Sequence, residues 1–186
     1  LWPRPQLRLR NVQAMIGTGD RPLLDIEHLA LSLDWSLAWG AEPRLHDARA
    51  SDLHWRQVWP DAGLASELHA RQWRLGPADA QGARPLDVDF EVLLRPAGPG
   101  AAGPPALPWL QGKGRAQARW LPAPDAARWQ DVQLRFAGQV AGQEVEDAQL
   151  DIAQWLHRPS AQLLEWRGLN LAARVGRKGG LGRLEL

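Results

Sequence analysis

Apolar and polar residues alternate with a period of two through most of this chain, and helical periodicity is nearly absent. The cleanest run is "LDVDFEVLL", where Leu86, Val88, Phe90, Val92 and Leu94 share one face and Asp87, Asp89 and Glu91 the other. One apolar and one wet face is the pattern of an antiparallel strand in a sheet covered on a single side. Shorter runs of the same kind are Leu29, Leu31, Leu33 and Trp35; Ala116, Ala118 and Trp120; and Val132, Leu134 and Phe136. Turn signals such as "GTGDRP", "WGAEP", "WPDAG", "GPADAQGARP" and "GRKGG" stand between the runs.

The alternation breaks at intervals, and it breaks in a repeated way. In "LRLRNVQA" the apolar side moves from Leu7 and Leu9 to Val12 and Ala14, with Asn11 at the switch. The shape "apolar, any, polar or Gly, apolar, any, apolar" recurs with pivots at Asn11, His28, Asp47, Gln72, Asp131, Asp147 and Gly168. Within each half the pivots lie roughly 20 residues apart, the length of one strand and its turn. A β-bulge inserts one residue and changes the phase of a strand, and Asn, Asp and Gly tolerate the backbone angles this needs. Asn11, Asp47, Asp131, Asp147 and Gly168 are therefore expected at bulges or sharp local twists, which together would curl a long sheet into a trough. Chance in a chain that is 45% apolar is the competing explanation.

Residues 95–108, "RPAGPGAAGPPALP", hold little but Pro, Gly and Ala and are expected to form a mobile loop or linker. They divide the chain into an N-terminal β region, 1–94, and a second, 109–186, which is expected to continue the same sheet. The predicted fold is all-β: an elongated, curved antiparallel sheet, a β-groove open on one side, with bulged strands and little helix.

The stretch "LRLRNVQAMIGTGDRPLLDIEHLALSLDWSLAWGAEPRLHDARASDLHWR" resembles the membrane-proximal part of AsmA-like proteins of Gram-negative bacteria. The segment "WQDVQLRFAGQVAGQEVEDAQLDI" is similar to that family's middle region, where a strand of type "LxFxG" precedes a short turn and another strand. A weaker similarity extends to TamB-type proteins and to the N protein of type II secretion. The resemblance implies a periplasmic sheet held at the inner membrane by a segment outside this chain. It also implies a role in outer-membrane biogenesis, with phospholipid acyl chains in an apolar groove. The alternative it implies is an adaptor of type II secretion that binds envelope or secretion proteins by strand addition. The candidate lipid- or core-facing residues are Leu86, Val88, Phe90, Val92, Val132, Leu134 and Phe136. The family's transmembrane helix has no counterpart here, and the two ends of the sequence read as the interior of a longer chain.

Composition narrows the chemistry. Lys and Arg number 22 against 21 Asp and Glu, a balance that gives no support for a nucleic-acid partner. With no cysteine, disulfides, thiolate catalysis and Cys-based metal sites are excluded. His28, His46, His54, His69 and His157 show no metal-ligand spacing, and surface histidines are the expected reading. Asp87, Asp89 and Glu91 read as a solvated face rather than an acid–base cluster. "GRKGGLG" lacks the Lys-Ser/Thr ending of a phosphate loop and reads as a hairpin turn, and none of the five serines stands in a nucleophile elbow. The expectation is a non-enzymatic protein without cofactor. Eleven tryptophans remain, to be read as packing in a thin interior, as an interfacial belt near lipid headgroups, or as a carbohydrate platform.

Overall fold

The computed structural model describes residues 4–14, 23–34, 44–59, 63–96, 108–123, 126–158, 163–177 and 180–185. Among them every regular element is a strand: β1 (Gln6–Ala14), β2 (Leu24–Leu33), β3 (Leu45–Trp59), β4 (Leu64–Leu75), β5 (Arg84–Pro96), β6 (Leu110–Ala123), β7 (Ala126–Val140), β8 (Gln143–Arg158), β9 (Leu163–Arg177) and β10 (Gly180–Glu185). They form one antiparallel sheet in strict sequence order, an up-and-down meander that stays open because β1 and β10 do not meet. The expected all-β, open, single-sheet architecture is therefore what the chain adopts.

Strands β5 and β6 pair from Arg84–Trp120 to Leu94–Leu110, so one sheet crosses the boundary between the two halves. The Pro/Gly-rich segment begins later than its composition suggests: Arg95 and Pro96 still belong to β5, and residues 97–107 lie outside the described residues. Strand β7 likewise runs past the "LxFxG" glycine to Val140. It turns at Ala141 and Gly142, whose φ values of 49° and 79° suit the two-residue turns that follow the twist of a hairpin.

The register explains the broken alternation. Residues directly opposite one another in a ladder point to the same side of the sheet. One such row runs Leu9, Leu29, Ala50, Trp73, Val88, Ala116, Leu134, Leu150, Leu171 across nine strands. The next parallel row runs Val12, Ile26, Leu53, Ala70, Phe90, Gly114, Phe136, Ala148, Ala173. In β5–β9 the step between these rows is the ordinary two residues. In β1–β4 it is three, from Leu9 to Val12, Ile26 to Leu29, Ala50 to Leu53 and Ala70 to Trp73. The phase changes in the sequence so that the apolar side chains stay on one face.

A three-residue step needs two consecutive residues turned outward, and a left-handed backbone provides it. Asn11 and Asp52 have φ of 53° and 52° and stand in line across the sheet, with Glu27 between them. Neighbours that share the extra residue keep constant register. For this step a shift appears where the kinked block ends, between Ala70 and Gln72 against β5. A second block begins in β7, where Asp131 (φ 51°) produces a shift against β6 and is matched without further shift by Ala153 and by Gly168 (φ 65°). Asp47 and Asp147 behave differently. Each flanks a local bulge, at the register shift Ser32/Leu33 and at Val145/Asp147 respectively. The left-handed residue of β3 is Asp52, not Asp47.

Packing is thin, as a single sheet without helices dictates. Among the described residues, four of the ten buried apolar ones are alanines (Ala48, Ala50, Ala70, Ala83), and no large side chain falls below 2% exposure. The outer face is held by cross-strand ion pairs instead, Arg95–Glu67 at 2.8 Å, Arg71–Glu91 and Arg115 on both oxygens of Asp87, and Arg119 pairs with Asp79 of the β4–β5 connection. Hydrogen bonds from Arg115 hold the Asp87 carboxyl below its ordinary range. A depressed carboxylate pKa contributes stability that is present above the unfolded value of about 3.9 and is lost as pH falls through the lower folded value. Asp87→Asn is thus expected to be less stable than the parent near pH 7, with the gap closing below about pH 4. Chemical denaturation at both pH values checks this, and a gap that persists at low pH would contradict it.

Candidate functional site

The inner face of β4–β9 forms a concave trough of about 560 Å³ whose lining is wholly apolar. Leu68 comes from β4, Val88, Phe90 and Val92 from β5, and Leu110 and Ala116 from β6. The far wall is Leu134 and Phe136 of β7, Ala148 and Leu150 of β8, and Leu171 of β9. The volume is in the range of small-molecule and lipid-tail pockets. No polar side chain enters it, so no hydrogen bond could orient a polar ligand there, and what the trough offers is area to be covered.

Its floor is shaped by two glycines. A Cβ on Gly114 would lie 2.8 Å from Phe90 Cζ, and one on Gly112 would lie 2.6 Å from Phe136 Cε2. Strand β6 thus gives up side chains at these positions, and the two rings lean over its backbone. Phe90 and Phe136 are 9% and 8% exposed, the best-covered large residues of the trough. The rest of the wall is only half buried, which leaves its methyl groups open to a bound molecule.

Of the expected lining residues, the structure brings Val88, Phe90, Val92, Leu134 and Phe136 together in this trough. Leu86 and Val132 stand on the same face of β5 and β7, beyond its edge: Leu86 opposes Leu75 and Ala118, and Val132 opposes Ile152. Leu68, Leu110, Leu150 and Leu171 were not singled out from the sequence, because their runs are short or interrupted by pivots. The left-handed Asp52 was also missed, although "ASDLHW", Ala50–Trp55, has the same shape as the other pivots.

Four tryptophans fall into a single row: Trp120, Trp129, Trp155 and Trp166 are directly opposite one another on β6, β7, β8 and β9. The row stands on the apolar face, one three-residue step beyond Val132, Ile152 and Leu169. Trp120 and Trp129 lie with ring centroids 6.3 Å apart, whereas Trp155 and Trp166 are 36% and 56% exposed. The rings form an aromatic border alongside the trough, with an apolar body and an indole N–H able to meet water.

The histidines do not assemble a site. His54 and His69 stack at 4.1 Å on the outer face, and His69 Nε2 lies 3.3 Å from the Asp52 carboxylate. Among the described residues no three His, Asp or Glu side chains are placed to hold a metal ion. Asp87, Asp89 and Glu91 lie on the outer face, where Asp87 and Glu91 are paired with Arg115 and Arg71. "GRKGGLG" lies partly outside the described residues; its described ends, Gly176 to Arg177 and Gly180 to Gly182, belong to β9 and β10. No protein-family model matches the chain, and neither a curated protein nor a solved structure matches it.

Proposed function

We propose that this chain is a non-enzymatic, AsmA-like periplasmic domain that serves outer-membrane biogenesis in a Gram-negative envelope by holding phospholipid acyl chains along its apolar trough. The observation that carries the reading is the all-apolar lining of the trough on a face that no helix or second sheet covers among the described residues. Covering such a face is favourable by about 0.8 kcal/mol per buried methylene, so a flexible hydrocarbon chain is a natural occupant. The tryptophan row adds support, since indole rings favour the boundary between hydrocarbon and headgroup. The inner-membrane attachment lies, on this reading, in a segment outside the sequence described.

The test is direct. Protein purified from membranes and examined by native mass spectrometry is expected to carry phospholipid, and delipidated protein is expected to take it back from vesicles. Protein that neither retains nor rebinds phospholipid would sink the reading while leaving the fold untouched. The adaptor alternative rests on β1 and β10, which have no second neighbour among the described residues and could accept a partner strand. A defined protein partner captured with an empty trough would favour it.

A further inference from the structure

The outer face of the sheet carries a feature that the trough does not explain. Arg71, Arg95, Arg115 and Arg119 are paired there with carboxylates, whereas Arg8, Arg10, Arg49 and Arg74 gather around a cavity of about 510 Å³ over β1–β5, which Asp87, Asp89 and Arg115 line on its β5–β6 side. In the ladder, Arg49 directly opposes Arg74. Like charges in that relation repel, and placing them there is costly without an anion. Arg74 also opposes Asp87 and interacts with its charge, but both oxygens of that carboxylate accept hydrogen bonds from Arg115. Arg8 donates to the side-chain oxygen of Gln6 at 3.2 Å. Among the described residues no carboxylate forms an ion pair with Arg10 or Arg49.

We propose that this cavity is a binding site for an anion bearing two or more phosphate groups, held by the guanidinium groups of Arg8, Arg10, Arg49 and Arg74. Strands lie about 4.8 Å apart, so Arg49 and Arg74 are neighbours and Arg8 stands roughly 10 Å from Arg49 across β2. That spread fits two phosphates side by side, each met by a planar fork of donors. Arginine rather than lysine at all four positions suits such bidentate contact. The site lies on the face opposite the trough and does not depend on whether the trough holds lipid.

The experiment uses two sources of phosphate. Inorganic pyrophosphate is titrated calorimetrically at low ionic strength, and co-sedimentation is measured with vesicles of cardiolipin, a lipid with two phosphates, in phosphatidylcholine against phosphatidylcholine alone. The variant Arg49→Gln/Arg74→Gln is expected to weaken binding by about tenfold per arginine removed. Its melting temperature is expected to be unchanged or higher, since two opposed like charges are removed. Arg8→Gln/Arg10→Gln, on the edge strand, gives the same readout without touching β3 or β4. Arg95→Gln, whose partner is Glu67, should bind as the parent does. Binding of pyrophosphate supports a soluble ligand, and binding of the anionic vesicles alone supports lipid phosphates. No binding in either arm, or binding indifferent to both double variants, overturns the proposal.

Discussion

Leu134→Asp is expected to abolish phospholipid retention while leaving the sheet folded. Leu134 stands at the centre of the trough, opposite Ala116 on one side and Leu150 on the other, and its side chain is only half buried. A carboxylate there stays hydrated while the trough is empty. A hydrocarbon chain laid over it would strip that water, at a cost of several kcal/mol, which lowers affinity by roughly a hundredfold or more. Leu134→Ala removes only methyl contacts and is expected to weaken binding by about tenfold. Lipid mass spectrometry and far-ultraviolet circular dichroism on the same samples separate loss of binding from loss of fold. Undiminished lipid on folded Leu134→Asp would show that the trough is not where lipid sits.

The second large effect concerns the kinks. Gly168→Val is expected to destabilise the protein by about 3 kcal/mol, a fall in melting temperature of roughly 10 °C. Two costs combine at this position. The φ of 65° is a left-handed conformation that a β-branched residue resists, and a Cβ would lie 2.8 Å from the Cβ of Ala153. Asp131, in the same line of kinks at φ 51°, provides the contrast. Asp131→Gly is expected to be neutral to within about 1 kcal/mol because glycine adopts that conformation freely, whereas Asp131→Val, which meets the φ cost without a new Cβ clash, should be destabilising by less than Gly168→Val. A Gly168→Val protein as stable as the parent would mean that the three-residue steps are not constrained by backbone geometry.

These expectations bear on what can be read from the chain. Period-two alternation is a local signal, and it carries the strand character of β5, β6 and β7 plainly, as it does the open all-β fold. The position of the pivots is local as well, because "LRNV", "WQDV" and "WRGL" each display two outward residues between inward ones. Their meaning was not local. Asn11 and Asp52 fall in one line only because β1, β2 and β3 pair in one particular register, and Asp47 flanks a bulge because β2 lacks the residue that β3 inserts at His46. The end of β5 also escaped composition: Pro96 is unfavourable in a ladder, yet it pairs with Leu64 at the strand's last position.

By itself, then, the sequence determined the inward face of the long alternating runs such as β5, the phase changes at pivots such as Asn11, Asp131 and Gly168, and the lack of any cysteine for thiolate chemistry. Those properties follow from side-chain polarity and local backbone preference, which act over a few neighbours. Tertiary structure decided what lies beside what. The register of nine strand pairs aligned scattered alternations into continuous apolar rows, drew Leu68 and Leu171 into one trough some hundred residues apart in sequence, and ranged four tryptophans along its border. It also set Arg49 against Arg74 on the opposite face. A shift of any strand by one residue would turn its whole apolar set outward, so the burial summed over the sheet, rather than any local motif, selects the register that makes the site.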